Sequence, residues 1–575
     1  MKYLKLFLQE RKGKVGITLI MLLGQVVGTL LIPFLMAGIV DNGILKGDMN
    51  EILHIGVQMI VVLFVTTVVA VLGSYYSADL AAVFGYYMRD KIFRKSQELS
   101  IHEFDTIGVS SMITRTTSDI SNLQQTFGLF LQLIVPAPLM IGASIVMTAY
   151  TSSSLALTLI VSVVIFIVLA GLVLKKSIFI SKMVQAKLDK INQVIRESIT
   201  GIRVIRAFGN ERYEEGRADK AFRSYATDMI KLNKLFAVLN PTIWLIIGIS
   251  IAIIVWIGGM LSMKGTMDIG QITAVTEYSI ITLSYLILAT TTSVTLPKMK
   301  SCLDRLEEVL EINPEIQDLN IEKECTKDNH AVVEFKNVSF FYNGAEEPVI
   351  KNISFSCNKG ETSAIIGSTG SGKSTIANLM LRLHDIEQGE IRINGADIRS
   401  LSQKELRDTI GYIPQKAFLF SGTIEDNLRM GYKEATKEDI ERALRISQSA
   451  SFIDKLPLGV NTEVSQGGSN FSGGQKQRLS IARALIRKVP IYIFDDSFSA
   501  LDLKTDLALR KSLKENMTDA VKIIIAQRVS TIMDADQILV LDEGKLVGSG
   551  KHTELMKNCS VYQAIAKSQM DIKES

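Results

Sequence analysis

Long hydrophobic runs fill most of the first half of this chain, and among them only the last contains a charged residue. Each exceeds the ~20 residues that a helix needs to cross the ~30 Å hydrocarbon layer of a membrane. One run is long enough to cross twice, with a reversal near Tyr150–Ser154. We therefore predict six membrane-spanning helices, in the runs Val15–Val40, Ile55–Ala78, Ile120–Leu174 (two spans), Leu235–Met263 and Ile269–Pro297.

The positive charges between these runs predict their orientation. Lys and Arg are frequent in the connections 89–115 and 175–234, whereas the connections 41–51, 151–154 and 264–268 contain few. Because cytoplasmic loops of membrane proteins are enriched in Lys and Arg, we expect the long connections and the amino terminus to face the cytoplasm. The sequence thus predicts a multi-pass protein of the plasma membrane, in contact with the lipid bilayer.

The two long cytoplasmic connections are too polar to lie in the membrane. Apolar residues recur in them at helical spacing, for example at Val194, Ile195, Ile199 and Ile202. We therefore predict that the spans continue into the cytoplasm as long helices, with bends near 102–110 and 208–215. The alternative is a separate small domain in each connection.

The pattern changes after Pro297. An amphipathic stretch, Leu303–Leu310, and a charged linker are followed from Val332 by apolar strands that alternate with helices. The predicted fold is an α-helical polytopic membrane domain with six spans and long cytosolic helix extensions, followed by an α/β domain. We expect the membrane domain at 1–300, the linker at 301–330 and the α/β domain at 331–575. The net charge of +4 gives no electrostatic argument for a nucleic-acid partner.

A phosphate-binding loop follows the apolar run Ala364–Ile366. Its glycines allow consecutive backbone N–H groups to turn towards an anion, and the following helix adds its positive N-terminal end. In this pattern the lysine reaches the β- and γ-phosphates, and the hydroxyl after it holds Mg²⁺. The loop predicts ATP and Mg²⁺ as cofactors, so we expect 331–575 to be a nucleotide-binding domain, an α/β phosphate-loop ATPase domain. The loop consists of Gly367, Ser368, Thr369, Gly370, Ser371, Gly372, Lys373 and Ser374, with Thr375 next.

Two further motifs lie downstream. The buried-strand pattern Ile491–Asp495 ends in a carboxylate that can orient Mg²⁺. A second glycine-rich turn opens a helix and offers another anion site through its N–H groups. This turn consists of Ser472, Gly473, Gly474 and Gln475. An ordinary helix cap would need only the serine and would leave the other three residues unexplained.

These motifs, with Gln415 after Tyr412-Ile413-Pro414 and with Ser499–Asp502, together resemble an ABC transporter ATPase. Preceded by six spans, the whole chain resembles a half-transporter of the ABC exporter family. The resemblance implies a dimer with domain-swapped helix bundles and two ATP molecules between the nucleotide domains. Each ATP would touch the phosphate loop of one chain and the glycine-rich signature, Ser472–Gln475 here, of the other.

The resemblance also implies individual roles. By matching position, Tyr342 would stack on adenine, Gln415 would sense Mg²⁺ and contact the membrane part, and Asp502 would cross the dimer interface. The two predicted bends would be the coupling helices, through which ATP-driven closure moves the spans between inward and outward access.

Two residues depart from the family pattern. The family has a glutamate general base after the strand aspartate, and this chain has Asp496 there; the family's switch histidine is replaced by Gln527. The shorter side chain withdraws the carboxylate by ~1.5 Å, and a misplacement of ~1 Å can cost on the order of a hundredfold in rate. A glutamine can donate a hydrogen bond but cannot carry positive charge as a histidine can. We predict a site that binds ATP and hydrolyses it poorly.

The signature Ser472–Gln475 is intact and can serve a second site. This asymmetry resembles the degenerate-site subunit of bacterial heterodimeric multidrug exporters, whose partner supplies the glutamate and the histidine. The resemblance implies export of drugs or small amphipathic compounds with a second half-transporter chain, hydrolysis taking place mainly at the partner's site. The alternatives are a lipid or peptide exporter and a regulatory ABC subunit without transport of its own.

One acidic residue, Glu277, lies inside the last apolar run. An ionisable group in a membrane span is costly and usually faces an aqueous cavity or a partner. Glu277 could bind cationic amphipathic substrates. Alternatively it forms a structural hydrogen bond to a neighbour such as Thr273 or Thr276, or is protonated without a role in transport.

Overall fold

The computed structural model describes residues 2–318 and 331–570. Residue contacts divide the chain into two compact units. The first unit contains Met1–Gln97 and Gly108–Ile312, and the second contains Glu98–Ile107 and Asn313–Ser575. The predicted boundaries at 300 and 330 stay predictions, because part of the predicted linker, 319–330, lies outside the described residues.

The described part of the first unit is helical. Three short π-helical segments, Ile39–Ile44, Arg115–Asp119 and Phe130–Ile134, interrupt or end its helices. With α4, which belongs to the second unit, the helices in chain order are α1 Lys2–Glu10, α2 Lys12–Gly38, α3 Met49–Glu98, α4 Ile101–Ile107, α5 Val109–Thr114, α6 Ile120–Leu129, α7 Pro136–Thr151, α8 Ser153–Thr200, α9 Ile202–Ala207, α10 Glu211–Met263, α11 Ile269–Ser293 and α12 Leu296–Glu311.

Six helical segments among the described residues are long and apolar enough to cross a membrane, which confirms the predicted number of spans. The predicted reversal near residue 150 is at Ser152, where an extended residue separates α7 from α8. The segments are Lys12–Ile44, Met49–Glu98, Val109–Thr151, Ser153–Thr200, Pro241–Met263 and Ile269–Glu311.

The long connections are continuations of the spans. Helices α3, α8 and α10 contain 50, 48 and 53 residues, so the prediction of long helical extensions is confirmed and the small-domain alternative is wrong. The first predicted bend coincides with α4. The second begins earlier than predicted, because α8 already ends at Thr200 and the short α9 precedes the turn at Phe208–Asn210.

Buried polar contacts join helices of the first unit. The hydroxyl of Ser162 on α8 donates to Ser250 on α10 over 3.0 Å, and Ser250 lies 3.1 Å from the hydroxyl of Ser279 on α11. Asp119, before α6, accepts hydrogen bonds from the guanidinium of Arg305 on α12, at 2.6 and 2.8 Å. Buried polar groups of this kind need such partners because water does not reach them.

Twelve strands lie in the described part of the second unit. The strands are β1 Ala331–Phe340, β2 Ile350–Asn358, β3 Thr362–Gly367, β4 Gln388–Ile393, β5 Ala396–Asp397, β6 Ile410–Ile413, β7 Gly422–Thr423, β8 Glu463–Val464, β9 Ile491–Asp495, β10 Val521–Ile525, β11 Gln537–Asp542 and β12 Lys545–Gly550. They form three sheets: a six-stranded sheet with the order β12-β11-β3-β10-β9-β6, a four-stranded antiparallel sheet with the order β2-β1-β4-β5, and the pair of β7 with β8.

Helices complete the second unit, together with short 3-10 turns at Ile398–Ser400, Gly459–Asn461 and Gln466–Gly468. The helices are α13 Lys373–Met380, α14 Gln403–Asp408, α15 Ile424–Arg429, α16 Lys437–Ile446, α17 Ala450–Ile453, α18 Gly473–Leu485, α19 Leu503–Asn516, α20 Val529–Ile532, α21 His552–Asn558 and α22 Ser560–Met570.

The parallel strands β3, β10 and β9 lie side by side and position the site. Every residue of β9 and β10 is buried, as expected for strands that run through the middle of an α/β domain. In the register Ile525 of β10 pairs with Ile365 of β3 and with Asp495 of β9. The carboxyl ends of the three strands therefore meet at one edge, which is where open α/β sheets bind ligands.

Candidate nucleotide site

The loop between β3 and α13 depends on its glycines. A Cβ at Gly367 would overlap the carbonyl oxygen of Leu541 on β11, so no larger residue fits between these paired strands. Gly370 and Gly372 have φ angles of 84° and 95°, in the left-handed region that glycine adopts without strain. This backbone turns the loop directly into the first turn of α13.

Lys373 lies over the loop that precedes it. Its ammonium donates to the carbonyl oxygens of Gly367 and Ser368 over 2.9 and 2.6 Å. Burial lowers the pKa of this lysine, while the carboxylates of Asp495 and Asp496 oppose the effect. The arrangement keeps a cation where the phosphates of a nucleotide would bind.

Asp495 and Ser374 form an oxygen-rich pair at the end of β9. The Ser374 hydroxyl donates to Asp495 Oδ1 over 3.1 Å, and the Tyr412 hydroxyl lies 3.4 Å from Oδ2. Burial raises the pKa of Asp495, because the desolvated carboxylate loses hydration. A hydroxyl and a carboxylate are ligands that Mg²⁺ prefers, so these residues fit the predicted ion. Bound there, Mg²⁺ would polarise the phosphates of ATP.

Asp496, Gln415 and Gln527 meet beside this pair. The side-chain amides of Gln415 and Gln527 both donate to Asp496 Oδ2, over 3.2 and 3.1 Å. Burial raises the pKa of Asp496, and the hydrogen bond from Gln415 acts against this shift. Asp496 also has a φ angle of 46°, which is uncommon for a residue with a Cβ. The structure thus brings together the three residues predicted to be catalytic.

Tyr342 lies next to the helix that follows the loop. Its hydroxyl is 3.2 Å from the hydroxyl of Thr375. The rings of Phe340 and His384 pack edge-on against it, with centroids 4.9 and 5.3 Å away. With 37% of the residue exposed, the ring is accessible for stacking, and its predicted role with adenine stays a proposal.

The signature turn caps α18. Ser472 Oγ accepts from the backbone N–H of Gln475, and the Gln475 side chain accepts from the N–H of Ser472. Among the described residues, a Cβ built at Gly473 meets no atom within 4 Å, and one at Gly474 would lie 3.4 Å from the Ala500 carbonyl, an ordinary contact. The fold of this chain therefore does not require glycine at either position.

Within the part of the chain that the structure describes, no hydrogen bond joins Ser472–Gln475 to the phosphate loop. The two turns predicted to bind anions are separate features of one ATPase unit. Where the fold of the chain does not require a glycine, its presence is explained by a ligand that approaches the backbone closely, because glycine has no side chain in the way.

Glu277 is an exposed residue of α11. The hydroxyl of Thr273 donates to the Gly270 carbonyl over 2.6 Å, and that of Thr276 donates to the Ile272 carbonyl over 2.9 Å. Since each hydroxyl has a single proton, neither donates to Glu277. Neither threonine therefore donates the structural hydrogen bond that was one of the sequence-based alternatives.

Sequence reasoning missed two residues of this region. Tyr412 opens the segment Tyr412–Gln415, in which we predicted a role for Gln415 alone, but the Tyr412 hydroxyl also contacts the carboxylate of Asp495. Gln569 on α22 contacts the loop that contains Gln527, with two hydrogen bonds of 2.8 Å. No local pattern around Gln569 indicates this role, because its partners lie 40 and 42 residues away.

The chain matches known proteins over both of its parts. Residues 15–286 match the family described as ABC transporter transmembrane region, and residues 350–499 match the family described as ABC transporter. An uncharacterised ABC transporter ATP-binding protein of Mycobacterium tuberculosis is 35% identical over 558 residues, 96% of each chain. The ABC transporter ATP-binding protein YfiB of Bacillus subtilis, also uncharacterised, is 34% identical over 98% of this chain and 97% of its own.

Two further similarities concern export. An ATP-dependent lipid A-core flippase of Vibrio vulnificus is 28% identical over 99% of this chain and 97% of its own length. The solved structure of a bacterial Atm1-family ABC exporter with ATP bound superposes with a TM-score of 0.81, at 26% identity, over 97% of this chain and 98% of that chain.

Six spans ahead of a single ATPase domain make this chain a multi-pass membrane protein with a cytoplasmic nucleotide-binding domain. The ATPase domain binds ATP with Mg²⁺ and hydrolyses it to drive translocation. The chain belongs to the ABC transporter family and has the architecture of an exporter half-transporter.

Proposed function

We propose that this chain is the degenerate-site half of a heterodimeric exporter of drugs or amphipathic compounds. The observation that carries the proposal is the contact of Asp496 with two amides, those of Gln415 and Gln527. The site would hold ATP for long periods, while the partner chain performs most of the hydrolysis.

The chemistry of this contact supports slow turnover. A general base must accept a proton from the attacking water, and its carboxylate must reach that water. Asp496 is one methylene shorter than glutamate, and Oδ2 already accepts two hydrogen bonds. Gln527 offers an amide instead of an imidazole, so it supplies no positive charge to the γ-phosphate. ATP binding needs neither group, because Lys373, Ser374 and Asp495 are present.

The signature supports a partner. Gly473 leaves space that none of the described residues fills, and Ser472 orders the turn through its capping bonds. This chain has an intact signature, but altered residues at the positions of the general base, Asp496, and of the switch histidine, Gln527. That combination is expected if the signature completes a nucleotide site on another chain. Lys373, Ser374 and Asp495 would hold this chain's ATP, and the signature would contact the partner's ATP.

A lipid exporter is the second candidate function. The similarity to the lipid A-core flippase of Vibrio vulnificus, over 99% of this chain, favours it. Both candidates share an amphipathic substrate that enters from the bilayer, and the ATPase unit does not distinguish them. The two functions are separated by measuring, with the assembled transporter in liposomes, whether a fluorescent phospholipid or a fluorescent cationic drug is transported.

The test of the degenerate site is Mg²⁺-ATPase turnover of the full-length chain purified alone in lipid, with ATP binding measured on the same sample. We expect bound ATP with little turnover. The control is Lys373→Ala, which removes the ammonium over the phosphate loop and should abolish ATP binding. Brisk turnover of the native chain that Lys373→Ala eliminates would show a working homodimer and refute the proposal.

A further inference from the structure

The last helix of the described chain, α22, is anchored to the ATPase core by one face. Tyr562 and Ala566 on this face are fully buried, and the Tyr562 hydroxyl lies 2.8 Å from His552 Nδ1 on α21. Gln569 follows at helical spacing on the same face. Its amide therefore points towards the core from a fixed helix.

Gln569 makes two hydrogen bonds to one short backbone stretch. Its Nε2 donates to the carbonyl oxygen of Gln527 over 2.8 Å, and its Oε1 accepts from the N–H of Val529, also over 2.8 Å. The amide thus bridges both sides of Arg528. Two bonds to one planar group fix the orientation of this stretch as well as its position.

The local structure explains why these bonds matter. Helix α20 begins at Val529, and the side chain of Arg528 at its cap position makes no capping hydrogen bond. The first N–H groups of a helix have no partner within the helix. Gln569 supplies one from α22, and at the same time binds the carbonyl of the residue whose amide reaches Asp496.

We propose that Gln569 is a positioning residue for the switch loop, defined here as Gln527–Val529. By holding the Gln527 backbone, it directs the Gln527 amide to Asp496 and keeps the γ-phosphate side of the site closed. The C-terminal helix thereby sets how long nucleotide stays bound. This inference rests on the proposed role of Gln527 at the nucleotide, and it is independent of the heterodimer.

The experiment measures release of a fluorescent, non-hydrolysable ATP analogue, N-methylanthraniloyl-AMPPNP with Mg²⁺, from the full-length chain in lipid. Gln569→Ala loses both bonds, and Gln569→Glu keeps the acceptor for Val529 but loses the donor to Gln527. Gln563→Ala is the matched control, because this glutamine lies on the same helix and donates to Met556 instead. Since the analogue is not hydrolysed, the readout does not depend on whether the site is degenerate.

We expect Gln569→Ala to release the analogue roughly tenfold faster than the native chain, because two hydrogen bonds are lost. Gln569→Glu should release it about as fast as Gln569→Ala. Release from Gln563→Ala should match the native chain, and the thermal midpoints of all variants should agree within a few degrees. Native release from Gln569→Ala would overturn the proposal. Release at the native rate from Gln569→Glu would also overturn it, because the bond to Val529 alone would then be sufficient. Faster release from Gln563→Ala would overturn it as well, because it would show that any loosening of α22 speeds release.

Discussion

Gln527 Nε2 lies 3.1 Å from Asp496 Oδ2, so the two residues that depart from the family pattern are in direct contact. Residues that share a hydrogen bond respond to substitution as a pair. The carboxylate of Asp496 is also bound by Gln415, which leaves it little freedom to turn to a water molecule. The two departures therefore form one altered unit of the site.

A double-mutant cycle tests this coupling. We expect Asp496→Glu and Gln527→His each to raise Mg²⁺-ATPase turnover only slightly, because each leaves the other half of the unit unchanged. Together they should raise it by at least about tenfold over the product of the single effects, which is about 1.4 kcal/mol of coupling. Gln537→His is the control and should have no effect, because Gln537 is a half-buried residue of β11 whose side chain donates to Ser549. Simple multiplication of the single effects would contradict the coupling.

The signature glycines give a second prediction. Gly473→Ala should leave the thermal midpoint of the chain unchanged, since the added methyl group meets nothing within 4 Å among the described residues. It should lower the ATPase rate of the assembled transporter by at least about tenfold, because a displaced phosphate costs catalysis. In contrast, Gly367→Ala should destabilise the chain itself and abolish ATP binding, since its methyl group overlaps Leu541. A loss of stability in Gly473→Ala would refute the reasoning.

Local patterns were sufficient for much of this molecule. The spans follow from uncharged runs, and the phosphate loop and the strand ending at Asp495 follow from short motifs whose geometry is set by neighbouring residues. Contacts between distant residues were not predictable. Gln569 reaches a loop 42 residues away, and Asp119 reaches Arg305 across 186 residues. Such contacts depend on packing, and nothing in the sequence around Asp119 or Gln569 distinguishes them from ordinary polar residues.

The second bend shows the same limit at short range. A run of apolar residues continues through Ile199, Ile202 and Ile205, so the helical pattern gives no sign of an interruption there. Helix α8 ends at Thr200 nonetheless, with Gly201 as its cap, and the separate short helix α9 continues the same spacing. The hydrophobic pattern indicates which residues are helical, while the break depends on a single backbone position.

The ion pair of Asp119 and Arg305 predicts a large effect on stability. Asp119 is 4% exposed, and without Arg305 the one side-chain partner left to it among the described residues is the thiol of Cys302, at 3.6 Å. Arg305→Ala should therefore lower the free energy of unfolding by roughly 3 kcal/mol, as for other buried charges that lose a partner. Adding Asp119→Asn should recover part of the loss, because the buried group is then neutral. Arg223→Ala breaks an exposed pair with Asp219 and is the control, with little expected change.

The raised pKa of Asp495 predicts that a neutral replacement of this residue stabilises the chain and impairs its function. Its pKa is raised by burial, so the folded chain holds the proton more tightly than the unfolded chain, and the ionised form opposes folding above that pKa. Without nucleotide at neutral pH, Asp495→Asn should raise the thermal midpoint, on the order of 2–4 °C, while weakening Mg²⁺-dependent ATP binding. The gain should shrink as the pH falls through the raised pKa.

A carboxylate with the opposite shift is the control for that measurement. Hydrogen bonding to Arg487 lowers the pKa of Asp408, so its ionised form favours folding above the ordinary aspartate pKa. Asp408→Asn should leave the midpoint unchanged or lower it at neutral pH. A rise in both variants would show that removing negative charge stabilises the chain in general, and the argument from burial would then be wrong.

Glu277 is the acidic residue inside the last predicted span, and it is exposed on α11. Because the hydroxyls of Thr273 and Thr276 donate to their own helix, we propose that its carboxylate binds the cationic group of amphipathic substrates. Glu277→Gln keeps the size and shape of the side chain and removes the charge. In liposomes containing the assembled transporter, it should reduce transport of a cationic dye by about tenfold and leave a neutral dye of similar size unaffected. Equal transport of both dyes at native rates would exclude the carboxylate as a binding group. An equal loss for both would instead assign Glu277 to the structure of the span.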